Sequence, residues 1–285
     1  MIAFLGTGLL GANFVRALRS RGEAVQVWNR TATKARALEA VGAKAFDTPA
    51  DAVRGADRIH LTLADDASVD EALERAAGSI SPHCLIVDHT TTAPDPTAER
   101  VARWAERGIR FQHAPVFMGP SNALDGSGTM LASGDRTLFD TLVPALEPMT
   151  GKLVYLGPDP VRATTVKLMG NLFLVALSAG LADMFALGDA YGVPTDEGIQ
   201  IFDWFNMATM AAARARRLRS GDVSQPSWTL AMARKDVRLM NEATEARGGE
   251  LVVMPAIAAA MDRLLAAGHS GDDFMVIGRA PRSGQ

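Results

Sequence analysis

Two groups of residues in this 285-residue chain have types and spacings that could do chemistry. Near the start, Gly6-Thr7-Gly8-Leu9-Leu10-Gly11 fits the G-x-G-x-x-G turn that receives a dinucleotide pyrophosphate. The reason lies in the backbone. Gly6 permits a tight turn, Gly8 lets the main chain approach the anion without a Cβ in the way, and Gly11 lets helix and strand pack closely. A helix N-terminus behind the turn adds unpaired N–H donors and a partial positive charge. Much later, Lys167 and Asn171 stand four residues apart, hence on one helix face, in a segment too apolar to carry an exposed lysine comfortably. A buried ammonium is costly unless it has a task or a partner. Partial desolvation would lower its pKa from about 10.4 toward neutrality, as suits a proton donor. The competing readings are that Lys167 snorkels to the surface or pairs with an acid such as Asp236.

The end of the second strand bears on which dinucleotide binds. An NAD-preferring turn usually has Asp or Glu there for the ribose hydroxyls, and this chain has Asn29-Arg30-Thr31. An arginine fork pairs with a 2′-phosphate, a hydroxyl donates to it, and Lys34 lies one turn further on, so NADP (NADPH) is the expected cofactor. The alternative is that Arg30 and Lys34 merely decorate a solvated helix start. A nicotinamide combined with a desolvated lysine predicts reversible hydride transfer to a C=O group, with Lys167 as general acid or base.

The elements that must position these residues read as a βα repeat. Strands are expected at Ile2 to Leu5, Ala24 to Trp28, Ala43 to Phe46, Arg58 to Leu63 and Leu85 to Asp88, with helices at Leu9 to Arg21, Thr33 to Val41 and Pro49 to Arg54. Ile109 to Gln112, running into Ala114-Pro115-Val116, then Gly128 to Ala132 and Leu153 to Leu156, add further strands. Such alternation predicts an α/β fold with a mostly parallel, doubly wound Rossmann sheet over residues 1–160. From Arg162 to about Tyr191 runs one long segment without proline, apolar on nearly every face, which predicts a buried helix. Residues 161–285 read as an all-helical domain, with breaks at Ser220-Gly221-Asp222, Gly248-Gly249 and Gly268-His269-Ser270-Gly271 and a frayed tail, Arg282 to Gln285.

Taken together, the glycine turn, Asn29-Arg30-Thr31 and four later segments resemble the β-hydroxyacid dehydrogenase family, which includes 3-hydroxyisobutyrate dehydrogenases and glyoxylate or semialdehyde reductases. The likeness spans nearly the whole chain. It implies a Rossmann domain, a long interdomain helix, an all-helical C-terminal domain and a homodimer or homotetramer. Asp88-His89-Thr90-Thr91-Thr92-Ala93-Pro94 is similar to the family's D-x-S-T-x-x-P, which places Thr91 near the nicotinamide. His113-Ala114-Pro115-Val116-Phe117-Met118-Gly119-Pro120 resembles D-A-P-V-S-G-G, whose Ser-Gly cradles the substrate carboxylate with a hydroxyl and backbone N–H groups. Phe117-Met118 departs from that pattern and points to a larger or more apolar carbonyl substrate. Thr164 to Asn171 resembles the catalytic helix, which implies that Lys167 moves the proton and Asn171 orients the substrate. Ala233 to Leu239 resembles the K-D-L segment, with Lys235 toward cofactor and Asp236 in the polar network. Leu63-Ala64-Asp65 resembles the loop beside the adenosine ribose.

Composition sets the outer bounds. With 48% hydrophobic and 21% charged residues the chain reads as soluble and globular, and a net charge of -3 lacks the basic excess that nucleic acid needs. Lone Cys84 makes no intrachain disulfide, and no run of about 18 apolar residues free of polar ones suggests a membrane span. A cytoplasmic location is expected. His60, His83, His89, His113 and His269 lack zinc-ligand spacing, so no metal is expected. Phe202, Trp204, Phe205, Met207 and Met210 read as core, interface or pocket lining. The basic run Arg214, Arg216, Arg217 and Arg219 reads as a solvated helix end. Two other functions stay open: an imine reductase or reductive aminase, and an NADP-binding sensor or interaction protein without turnover.

Overall fold

The structure is a computed structural model that describes residues 1–204 and 206–279; Phe205 of the aromatic run and the tail Arg282 to Gln285 lie outside the described residues. Its first strand, β1 (Ile2–Leu5), is buried at every position, as a central strand covered on both faces must be. Period-two alternation sends Ile2 and Phe4 into one core, with Phe14, Val15 and Leu18, and sends Ala3 and Leu5 into a second, with Ile59, Leu61, Leu73 and Trp104.

After β1 the chain gives α1 (Leu9–Ser20), β2 (Val25–Trp28), α2 (Ala32–Arg36), β3 (Lys44–Ala45), α3 (Pro49–Val53) and β4 (Arg58–Leu61). It continues through α4 (Asp66–Ala76), β5 (Leu85–Asp88), α5 (Pro94–Glu106) and β6 (Arg110–His113). The six strands form one parallel sheet in the order β3-β2-β1-β4-β5-β6. The order reverses between β1 and β4, so their C-terminal ends open a crevice of the kind where doubly wound folds bind ligands. Helices α4 and α5 are clamped by the fully buried Arg100, which donates to Asp66 (2.9 Å) and Asp70 (2.7 Å).

The run expected to continue from β6 through Pro115 breaks at His113. A proline has no N–H to give a ladder, and the Pro115 carbonyl instead accepts from the Leu131 N–H at 2.8 Å. The following strands therefore leave the large sheet. With β7 (Val116–Phe117), α6 (Pro120–Asp125), β8 (Thr129–Ala132), α7 (Arg136–Leu146) and β9 (Lys152–Tyr155) the chain builds a three-stranded sheet, antiparallel at β7-β8 and parallel at β8-β9.

Next comes α8 (Arg162–Ala190), unbroken over 29 residues as expected but not buried. Leu172, Phe173, Leu174, Val175 and Leu177 are 47 to 72% exposed. The sequence argument assumed that a helix apolar all round must be covered by its own chain, and the described residues do not cover this one. α8 is also long and apolar enough to cross a bilayer by length and composition alone, although Thr164, Asn171 and Asp183 interrupt the polar-free run that the apolar-stretch rule requires.

The chain divides within α8 into Met1–Asn171 and Leu172–Gln285. The second unit holds α9 (Thr195–Ile199), α10 (Ile201–Trp204), α11 (Met207–Ser220), α12 (Leu230–Glu245) and α13 (Met254–Ala266). Its core gathers Leu230, Ala233, Val237, Met261, Leu264 and Val276. The buried Asp183 carboxylate accepts from the N–H groups of Val252 (2.6 Å), Val253 (2.8 Å) and Met254 (3.1 Å), which start α13 and have no other partner at a helix N-terminus. Asp183→Ala leaves those donors unsatisfied and should cost ~2 kcal/mol. Urea unfolding of the variant checks this, and an unchanged midpoint would contradict it.

Candidate functional site

The glycine turn takes the shape that its spacing requires. Gly6 has φ of 93°, and a Cβ there would lie 2.2 Å from the Thr62 carbonyl oxygen. A Cβ on Gly11 would lie 2.0 Å from the Gly6 carbonyl oxygen, so α1 approaches the end of β1 only with glycine at 11, while glycine at 6 lets the turn lie against the chain that leaves β4. A Cβ on Gly8 would meet nothing within 4 Å, which leaves open space beside the uncapped first turn of α1, where Leu9 stands exposed. The buried Thr7 hydroxyl has no partner, and the Thr7 N–H donates to Asn29 Oδ1 at 2.9 Å. The Asn29 amide in turn donates to the Thr31 carbonyl. Asn29 thus braces the turn from the end of β2.

Two cavities flank this turn. One, of about 300 Å³, is lined by Gly6, Gly8, Asn29, Arg30, Thr31, Lys34, Leu63 and Ala64. Arg30 and Lys34 stand exposed there and no carboxylate of the described residues pairs with either. Glu71 also lines it, engaged by Arg75 at 3.3 Å. The other, of about 280 Å³, is lined by Gly8, Leu9, Leu10, Gly11, Leu63, Ala64, His89, Thr90 and Thr91. Free amides, open space at Gly8 and cationic groups at one end suit a phosphate-bearing dinucleotide laid across the turn. Asp65 lines neither cavity: its carboxylate accepts from the Ser68 N–H and caps α4, which holds it below the usual carboxylate range.

Threonines tie the floor of the second cavity to α8. The Leu63 N–H donates to the Thr90 hydroxyl (3.0 Å), and the Thr90 N–H donates to Asp88, whose carboxyl burial pushes up. The Thr164 hydroxyl donates to the Thr92 carbonyl at 2.6 Å, which fixes the first turn of α8 against the loop that carries Thr91. Lys167 follows one turn later on the same face. It is 9% exposed, burial lowers its pKa, and its ammonium stands over the Phe117 ring at 4.4 Å from the centroid. No carboxylate of Met1–Asn171 pairs with it.

The two residues that depart from the family pattern, the last of β7 and the one that follows it, face apart. Phe117 lies across Lys167 and Gly170, while Met118 packs onto the core of Phe14 and Met130. The Gly119 N–H donates to Asn122 Oδ1 at 2.8 Å. Asn171 sits four residues beyond Lys167 on α8. Lys235 and Asp236 belong to α12 in the second unit, where they pair with each other at 2.9 Å. Thr164 and Gly170 fell inside the segment read as the catalytic helix without roles of their own, and Asn122 escaped the sequence reading; a glycine in the middle of a helix was the available signal for Gly170.

His89 reads from sequence as a hydrogen-bonded scaffold residue ahead of a cleft residue, and the structure places it in a chain with His60 that the sequence did not show. Arg58 Nε donates to His60 Nε2 (2.7 Å), so His60 carries its proton on Nδ1 and donates to His89 Nε2 (2.9 Å). His89 Nδ1 then donates to the Ala114 carbonyl (2.7 Å). Each bond dictates the next tautomer. Burial holds His60 well below its ordinary value, helped by His89 and Arg58, and burial brings His89 down to about 4. Both stay neutral in the native protein and charge near pH 6.5 when unfolded, so the unfolded chain binds the extra protons as pH falls. Stability present above pH 6.5 should therefore be lost progressively toward pH 4. Urea midpoints measured across that range should fall steeply, and the double variant His60→Gln, His89→Gln should flatten the acid limb; equal slopes would refute the account.

The chain is similar to several known proteins. Residues 1–157 match the family described as the NAD binding domain of 6-phosphogluconate dehydrogenase. The cytokine-like nuclear factor N-PAC of Anopheles gambiae is 29% identical over 209 residues, covering 72% of this chain and 37% of that protein. The chain spans about two fifths of the length of the first such relatives. An NAD-dependent L-serine dehydrogenase of Pseudomonas aeruginosa is 28% identical over 100% of this chain and 99% of its own. In fold, an imine reductase from Myxococcus stipitatus in complex with NADP+ superposes with a TM-score of 0.89 at 22% identity, covering 99% of this chain and 100% of that one.

Proposed function

The chain belongs to the β-hydroxyacid dehydrogenase family, with a nicotinamide-binding domain of the 6-phosphogluconate dehydrogenase kind, and on that premise we propose that it is an NADP-dependent reductase of carbonyl compounds. One observation carries the reading: a buried lysine that no carboxylate of Met1–Asn171 pairs with is held, through Thr164, against the loop that lines the second cavity. When bound, the cofactor supplies or receives hydride at the reacting carbon. Lys167 Nζ gives its proton to the carbonyl oxygen and recovers it from solvent, and in the reverse direction takes the alcohol proton. Asn171, on the same face of α8, orients the oxygen. Arg30 and Lys34 receive the 2′-phosphate, and Thr31 adds a hydroxyl.

Reduction of a C=N bond is the second reading. A protonated imine is a cation and would be repelled by the Lys167 ammonium, which puts the neutral carbonyl first. The third, a nucleotide-binding protein without turnover, gives a buried lysine on α8 no task.

The experiment follows NADPH and NADH oxidation with glyoxylate, succinic semialdehyde, apolar ketones and a cyclic imine. Carbonyl turnover with NADPH favoured over NADH is expected. Arg30→Ala should narrow that preference by about tenfold, the order of one charge-assisted hydrogen bond. Lys167→Met should abolish turnover while NADPH still binds. Turnover surviving in Lys167→Met would overturn the mechanism, and binding without turnover in the wild type would favour the third reading.

We also propose that a second copy of the chain covers the exposed apolar residues of α8, giving a homodimer or homotetramer. Contiguous apolar surface of this kind marks interaction sites in soluble proteins. Sedimentation should give two or four chain masses, with Leu174→Glu, Val175→Glu falling to one; a monomeric wild type would sink the idea.

A further inference from the structure

The Lys167 ammonium has an aromatic ring where an anion would be expected, and the ring is held there. Its centroid is 4.4 Å from Nζ, inside the range in which the negative face of a ring attracts a cation. The ring cannot drift toward α8, because it already fills the space that a side chain at position 170 would take. A Cβ on Gly170 would come within 2.5 Å of Cζ and 2.6 Å of Cε1 of Phe117. Strand pairing of Phe117 with Thr129 fixes the backbone from the other side.

The neighbouring donor is also committed. The Gly119 N–H donates to Asn122 Oδ1 (2.8 Å), and Asn122 Nδ2 donates to Ser127 Oγ (2.9 Å), so Asn122 is itself anchored. Burial lowers the Lys167 pKa, and no charged or titratable side chain from β7, α6 or the Thr90–Thr92 loop adds to that shift. A carboxylate brought to this place would meet a π face that repels it, a covered ammonium and an N–H already in use. A neutral carbonyl oxygen needs only one hydrogen bond from Nζ.

We propose that Phe117 is the specificity-determining residue of this site, standing in for a carboxylate as the partner of Lys167, so that the site takes uncharged carbonyl compounds and excludes carboxylated ones. The inference rests on the carbonyl-reduction reading above. Hydride goes from the reduced nicotinamide to the carbonyl carbon while the proton on Nζ goes to the oxygen. The ring favours the ammonium over the amine, so the resting site is poised to donate that proton and works toward reduction at neutral pH.

Butanal and succinic semialdehyde differ by a terminal carboxylate and make a matched pair. With NADPH, the wild type should favour butanal by at least tenfold in kcat/KM. Phe117→Ser should shift that ratio at least tenfold toward the acid, through KM for succinic semialdehyde. Independently of turnover, the Lys167 amine can be titrated by NMR. Phe117→Leu, which keeps bulk without a ring, and Gly170→Ala, which pushes the ring aside, should each lower its midpoint by about one pH unit. A wild type that prefers the acid, a ratio unmoved by Phe117→Ser, or a Lys167 midpoint unmoved by both other variants would overturn the proposal. If neither aldehyde reacts, the carbonyl reading falls, and the titration alone decides whether Phe117 is the partner of Lys167.

Discussion

The hydrogen bond from the Thr164 hydroxyl to the Thr92 carbonyl, fully buried and 2.6 Å long, is the constraint on which the site depends. It joins two segments of Met1–Asn171 that the proposed hydride transfer requires to agree: the loop that lines the second cavity and the helix that carries Lys167. An α-helix turns by about 100° and rises about 1.5 Å per residue, so a slip of one position would swing Lys167 away from that loop. The loop is itself held from several directions. The Thr92 hydroxyl meets Thr97 and His113, the Thr90 carbonyl meets His113, and the Thr90 hydroxyl accepts from Leu63.

How much of this could be read from sequence depended on the range of the interaction. The Rossmann half was legible because its signals are local: a short apolar run at β1, a glycine turn with a strand before it and a helix after it, and an aspartate-free end to β2. The long helix was legible as a helix and illegible as an exposed one, since apolar composition says that a face wants cover and not which chain supplies it. The second small sheet hinged on one missing N–H at Pro115, a local fact whose topological effect is not local. Within the site, the sequence pointed to Phe117-Met118 as the departure but could not divide the pair. The structure does so, giving Phe117 to Lys167 and Met118 to the core.

The polar path through the middle of the sheet has a different logic. His60 stacks between Phe4 and His89, and His89 leans on Phe14, so imidazoles occupy positions where aliphatic side chains would pack as well. A buried network of this kind is safe only when every member is satisfied, and here each ring nitrogen of the pair has its partner. Its far end is the Ala114 carbonyl, three residues before Phe117. The path therefore pins the chain where it leaves the large sheet for the small one.

The contact between Phe117 and Gly170 also orders the routes by which this protein can change. Phe117 can be exchanged for a smaller residue while Gly170 stays as it is, because a glycine tolerates an empty neighbour. The reverse order has a consequence of its own: any side chain at 170 displaces the ring while phenylalanine is in place. In mutational terms the pair is asymmetric. A change at 117 leaves the lysine's helix untouched, whereas a change at 170 also moves the ring away from the lysine.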